Sequence, residues 1–175
     1  MRRLLLLRHA KTEGHEPGRD DRARVLIERG RADAARIGAY TASHGLTPDR
    51  VIVSPAARCQ ETWTLMAAAM RPAPAVSTLE QIYDATPQDI AGAILDAPAD
   101  AAALLIVGHN PGLHEAALLL IASGNIDARE ALREQLPTSG LVVIDFAFDD
   151  WRDLHPQCGR LERFVTPRSL DAATR

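Results

Sequence analysis

A chain of 175 residues, 46% hydrophobic and 25% charged, is long enough to bury one substantial core and is composed like an ordinary globular protein. Its formal net charge of -3 argues against a general binder of polyanions, so neither nucleic acid nor a membrane surface is an expected partner. The apolar run Leu4–Leu7 behind Arg2 and Arg3 is shorter than the about 7–15 residues of a secretory leader and far below the ~20 of a membrane span, so a single cytoplasmic domain covering 1–175 is expected. Cys59 and Cys158 stand in no CxxC or metal-ligand spacing and read as reduced thiols.

In chain order, Leu4–Leu7 has strand length. Residues 13 to 24, EGHEPGRDDRAR, are charged, contain Pro17 and Gly18, and read as a loop. From Glu28 to His44 the apolar residues Ala32, Ala35, Ile37, Ala39 and Tyr40 recur at roughly helical spacing, and Gly45 ends the pattern. Val51–Val53 is a second strand, closed by Ser54-Pro55, and Ala56–Arg71 is a helix followed by Pro72 and Pro74. Val76–Leu79 forms a third strand. Pro87–Asp96 is a short helix with Thr86 as its N-cap and Pro87 at the first position. Leu104–Val107 is a strand ending at Gly108, and Leu113–Ala122 a buried helix. Leu141–Phe148 and Leu161–Val165 are strands that pair as a hairpin through Asp149–Arg160. No repeat, linker or low-complexity stretch interrupts the chain. This alternation predicts a three-layer α/β/α sandwich, with a mostly parallel central sheet and helices on both faces.

Open parallel sheets bind ligands beyond the carboxyl ends of their strands. The first predicted strand ends in Arg8-His9. The second ends in Ser54-Pro55 and reaches Arg58 within one helical turn. The Leu104–Val107 strand ends in Gly108-His109-Asn110. Three strands therefore deliver two histidines and two arginines to one edge of the sheet. Arg58 sits near a helix N-terminus, where a cation opposes the helix dipole, and an anionic ligand would remove that conflict. The set contains no metal-binding carboxylates and no serine nucleophile. Arginine forks match phosphate oxygens, a neutral imidazole can attack phosphorus, and a second imidazole can hydrogen-bond the moving phosphoryl group. Phosphoryl transfer depends chiefly on positioning and charge stabilisation, so such a site needs neither metal nor cofactor.

These residues resemble the histidine phosphatase superfamily, which includes phosphoglycerate mutases and acid phosphatases. Arg8-His9-Ala10 looks like its arginine–histidine motif. Residues 51 to 63, VIVSPAARCQETW, resemble its strand followed by S-P-x-x-R-x-x-Q-T, with Glu61 before Thr62 where the common form has the last two residues adjacent. Residues 104 to 115, LLIVGHNPGLHE, resemble its third signature. The motifs come in the family's order over about residues 3 to 148, and the short chain is similar to the compact bacterial phosphohistidine phosphatase branch. That branch carries a stretch like R-P-L-T-x-x-G before its first helix. Here it reads Arg24-Val25-Leu26-Ile27-Glu28-Arg29-Gly30, with Val25 and Ile27 departing from proline and threonine.

The resemblance implies that His9 is a nucleophile carrying a phosphohistidine intermediate, with Arg8, Arg58 and His109 as the phosphate-binding pocket and Arg24 as an additional phosphate ligand. It also implies a phosphorylated substrate, either a phosphoprotein or a small molecule. Larger members place an acidic residue after the third strand; here Glu80 and Asp84 flank Ile82-Tyr83, and Asp84 is the better candidate for a general acid. A phosphohistidine substrate has a good leaving group and needs an acid less than an alkyl phosphate does. Lys11 reads as loop charge, His44 as helix-end surface, and His114 as at most a neighbour of the site. Two other readings compete with a metal-independent phosphatase. One is a phosphoglycerate-mutase-like phosphatase or mutase, for which the chain leaves little material to build a lid. The other is an idle phosphate-binding interaction module, which predicts loss of one of the four core residues. Neither GxxxxGK[ST] nor GxGxxG occurs, which disfavours a nucleotide-binding α/β protein.

Overall fold

The computed structural model describes residues 1–173. Seven strands form one sheet: β1 (Arg2–Arg8), β2 (Arg50–Val53), β3 (Ala75–Thr78), β4 (Ala103–Gly108), β5 (Ile121–Gly124), β6 (Leu141–Phe146) and β7 (Gly159–Val165). Their spatial order is β3-β2-β4-β1-β6-β7-β5. The first four in that order run parallel, as do β7 and β5, while β6 runs antiparallel to both of its neighbours. The helices are α1 (Glu28–Ser43), α2 (Ala57–Ala67), α3 (Pro87–Leu95), α4 (Gly112–Leu120), α5 (Ile126–Glu134) and α6 (Pro167–Ala173). No helix is long and apolar enough to cross a membrane among the described residues.

The four leucines of β1 are all fully buried because side chains alternate across a strand and both faces of this sheet are covered. Leu4 and Leu6 join Leu104, Ile106, Val142 and Ile144 in one core, closed by Ile90 and Ile94 of α3, Leu113 of α4 and Leu132 of α5. Leu5 and Leu7 join Leu105, Val107, Leu141 and Val143 in the other, closed by Ile37 of α1 and by Trp63 and Met66 of α2. The expected three-layer sandwich is therefore what forms, and the hairpin of β6 and β7 pairs as expected. The N-terminus of α3 is a full capping box: the Thr86 hydroxyl accepts from the Asp89 N–H, and the Asp89 carboxylate accepts from the Thr86 N–H.

Four expectations need correction. The helix expected over Ala56–Arg71 is shorter, Ala57–Ala67. The helix expected over Leu113–Ala122 stops at Leu120, and Ile121 opens the edge strand β5. Gln157 explains that stop: its backbone N–H and its side-chain amide both donate to the Leu119 carbonyl, at 2.9 and 3.0 Å. This contact comes from 38 residues downstream and leaves no trace in local periodicity. Helices α5 and α6 were not anticipated. In α5 only Leu132 is buried, so no apolar stripe advertises it, although Asn125 caps it by accepting from the Ala128 N–H at 2.9 Å. Finally, the charged loop over residues 13 to 24 contains a 3-10 turn at Asp21–Ala23, capped by Asp20.

Candidate active site

Register brings the predicted strand ends to one level. Leu7 and Val53 both stand beside Val107, and the ladder continues as the His9 N–H donates to the Gly108 carbonyl (3.1 Å) and the Ser54 N–H to Val107 (3.0 Å). From the other side, the Ser139 N–H reaches the carbonyls of Arg8 and His9 at 3.1 and 3.2 Å. The backbone after His9 is clamped as well. The Ala10 N–H donates to the Thr62 hydroxyl (2.9 Å), which itself donates to the Arg58 carbonyl (2.6 Å). Helix α1 packs so tightly on this segment that a Cβ at Gly30 would lie 2.1 Å from the Lys11 carbonyl oxygen, which is why glycine stands there.

His9 is 7% exposed. Its Nδ1 lies 2.8 Å from the Ala10 carbonyl. A carbonyl only accepts, so Nδ1 carries the ring proton and Nε2 keeps its lone pair. Burial, reinforced by the charges of Arg58, Arg8 and Arg24 and only partly offset by the Ala10 hydrogen bond, lowers its pKa to about 4. At neutral pH the imidazole is an uncharged nucleophile.

His109 lies opposite, with its ring centroid 5.4 Å from that of His9. Arg58 Nη2 donates to its Nδ1 at 3.2 Å, so its proton sits on Nε2 and points to the Ser54 hydroxyl at 2.7 Å. Burial first, then Arg58 and His9, lower its pKa to about 3. Cys59 Sγ is 3.5 Å from the same Nε2, but burial raises that thiol to about 12 and keeps it inert.

Arg58 is 3% exposed in the first turn of α2. Its conflict with the helix dipole is met partly by Asp21. Nη1 donates to the Asp21 carbonyl at 2.7 Å, and Nη2 to its carboxylate at 3.0 Å. Arg8 Nη1 donates to the Leu136 carbonyl (3.0 Å), and burial lowers its pKa. Arg24 Nη2 donates to the Thr12 hydroxyl (3.0 Å), and its Nη1 is 3.4 Å from Asp21 Oδ1. In all three arginines the Nε–H is buried and has no protein acceptor. An unmet buried donor costs about 1–3 kcal/mol, a penalty that the oxygens of a tetrahedral anion can remove. Among the described residues no three His, Cys, Asp or Glu side chains are grouped as metal ligands.

The structure thus brings Arg8, His9, Arg58 and His109 together, with Arg24 beside them. Asp84 stays exposed at positive φ (46°), and its charge acts on Tyr83 and Cys59, so it lies at the rim. His114 is elsewhere, with Nε2 2.5 Å from the Leu132 carbonyl. A groove of about 570 Å³ between α1, α5 and the start of α6 includes Lys11 and Thr138 but none of the four core residues. Sequence reasoning missed Asp21 and Tyr83. The Tyr83 hydroxyl donates to Asp21 Oδ2 at 2.7 Å, and both residues sat in stretches read as loop charge or flanking sequence. The spacing of Asp21 from Arg24, three residues apart, was the available signal.

These protonation states set the acid behaviour. Attack needs neutral His9, so the enzyme should add no acid limb to kcat/KM until pH falls to about 4, beyond the one set by the substrate's own second phosphate ionisation at about 6. A further limb near the ordinary imidazole value of about 6.5, present with substrates of different phosphate pKa, would contradict the buried site. Stability should decline earlier. In the unfolded chain both imidazoles take up protons near the ordinary value of 6.5, while the folded pair resists until about 4 and 3. Protons therefore favour the unfolded chain, and Tm should drop as pH falls from about 6.5 toward 4.

Comparison with known proteins gives concordant results. Residues 4–84 match the family model described as histidine phosphatase superfamily, branch 1. An uncharacterized protein of Mycobacterium tuberculosis is 32% identical over 93% of this chain and all of its own length. The crystal structure of a proposed phosphohistidine phosphatase, SixA, from Agrobacterium tumefaciens superposes with a TM-score of 0.80 at 30% identity, covering 95% of this chain and 98% of that one. A proposed SixA from Nakamurella multipartitia shares the fold, with a TM-score of 0.82 at 24% identity over 95% of this chain and 96% of that one.

Proposed function

Because the chain belongs to the histidine phosphatase superfamily, we propose that it is a phosphatase working through a covalent phosphohistidine on His9, without a metal ion. The observation that carries this reading is the lone pair of His9 Nε2, fixed by the Ala10 carbonyl and set among arginines with unmet donors. In the first step Nε2 attacks phosphorus and the bond from phosphorus to the leaving atom breaks; an alkoxide takes a proton from Asp84, whereas an imidazole already protonated on its other nitrogen departs neutral without one. In the second step water attacks phosphorus, the bond to Nε2 breaks, and inorganic phosphate leaves. Arg8, Arg58 and Arg24 neutralise the equatorial oxygens in both steps. His109 contributes a hydrogen bond once its Nδ1 carries the proton, which requires Arg58 Nη2 to turn from Nδ1 to the phosphoryl oxygens and Ser54 to donate its hydroxyl proton toward Nε2 in place of accepting from it.

The preferred substrate class is phosphohistidine on a protein, or a small phosphorylated compound. The names of the SixA neighbours support the first. The exposed Asp84 is the candidate acid, needed for poor leaving groups and dispensable for phosphohistidine. A cytoplasmic site of action agrees with two free cysteines. The test is a panel of phosphohistidine, aryl phosphate and alkyl phosphates, assayed in EDTA with wild type and Asp84→Asn. Full activity in EDTA is expected, with Asp84→Asn slowing alkyl phosphates only. Loss of activity in EDTA and its return with magnesium or zinc would assign the chain to another class of phosphatase.

A further inference from the structure

The mouth of the pocket carries a carboxylate that the chemistry above does not use. Asp21 accepts from the Tyr83 hydroxyl at 2.7 Å and from Arg58 Nη2 at 3.0 Å, and its other oxygen lies 3.4 Å from Arg24 Nη1. Its side chain is 34% exposed, against 4% for that of Arg58, so it stands between the arginine and solvent. Displacement at phosphorus is in line, which puts the leaving atom opposite His9 Nε2. His9 is buried, and Asp21 is the far more exposed partner of Arg58, so the part of the substrate that extends toward solvent is placed beside Asp21.

The charges around the pocket are nearly matched to one phosphoryl group. Both histidines are neutral, and three arginines less one carboxylate leave two positive charges for a dianion. Two further arginines of the loop that carries Asp21 are already paired. Arg22 lies 4.3 Å over the Tyr83 ring and bonds Glu80 at 2.8 Å, and Arg19 sits 3.3 Å from Glu16 and 3.7 Å from Glu13. A second negative charge on the substrate would face Asp21, with Asp84, whose charge also acts on Tyr83, nearby. A positive charge or an N–H group would face a carboxylate acceptor.

We propose that Asp21 is a specificity-determining residue: it favours phosphorylated compounds whose non-phosphoryl part is cationic or donates an N–H near phosphorus, and it rejects those bearing a second anion. This rests on the phosphoryl group occupying the arginine pocket. A protonated imidazole leaving group fits the preference, and a phosphorylated carboxylic acid does not.

The experiment measures binding by calorimetry in the His9→Ala background, which prevents turnover. The probes are inorganic phosphate, phosphoethanolamine and phosphoglycolate, the last two similar in size and opposite in charge beyond the phosphate. With Asp21 present, phosphoethanolamine should bind about 10-fold tighter than phosphoglycolate, a ratio set by one nearby exposed charge. Asp21→Asn should bring the two within about 2-fold, and Asp21→Glu should keep the preference. A preference for phosphoglycolate with Asp21 present would overturn the proposal before any variant is made. A ratio unchanged in folded Asp21→Asn would also overturn it, reducing Asp21 to a brace for Arg58. Failure of inorganic phosphate to bind at all would instead remove the pocket assignment on which both this inference and the proposed activity stand.

Discussion

His9→Ala is expected to lower turnover on the order of 10⁴-fold or more, because without Nε2 no covalent intermediate can form and neither half-reaction has a replacement nucleophile. The same substitution should leave the fold in place. The ring makes one hydrogen bond, to the carbonyl of the next residue, while the strand that precedes it is anchored by four fully buried leucines. Removal also takes a group away from the field of three arginines. A Tm within a few degrees of wild type is therefore expected, read from thermal melts beside the kinetics. Turnover within tenfold of wild type would contradict the role of His9.

Arg58→Ala is expected to lower kcat/KM by about 10²–10³-fold, the cost of removing one preorganised donor from a developing charge. Two further signatures separate this from simple damage. Vanadate, which mimics five-coordinate phosphorus, should inhibit the variant far less than wild type. The acid limb should also move to higher pH, because the charge of Arg58 is among the causes that hold both His9 and His109 down. Arg22→Ala makes the control. It removes an exposed arginine of the charged loop over residues 13 to 24, already paired with Glu80, and a change within about 3-fold is expected. Equal losses from the two substitutions would show that the phosphoryl group does not sit on Arg58.

The fold and the core of the site could be read from the sequence for one physical reason. In a sheet covered on both faces, a strand is a continuous apolar run, so its end is marked by the first polar residues. Leu4–Leu7 into Arg8-His9 and Leu104–Val107 into His109 are such boundaries, and register then forces their ends together. Asp21 could not be found in this way. It belongs to a charged loop, and its role depends on contacts with residues 37 and 62 positions away in sequence. The same holds for the end of α4, which is fixed by Gln157. Helix α5 shows the opposite case: it is local and capped by Asn125, but nine residues with one buried side chain carry almost no periodic signal. Thr62 lies between these cases. The motif contained it, yet only the structure shows that its hydroxyl holds the backbone after the nucleophile.

The central claim is that His9 Nε2 takes the phosphoryl group. Rapid quenching of the enzyme with a radiolabelled aryl or acyl phosphate, followed by peptide mapping, tests it most directly. The account predicts one label on the peptide containing His9, stable in base and lost in acid, formed by the wild-type protein and by Asp84→Asn but not by His9→Ala. Label on another residue, or turnover of the same substrate with no label trapped on His9 at any quench time, would contradict it.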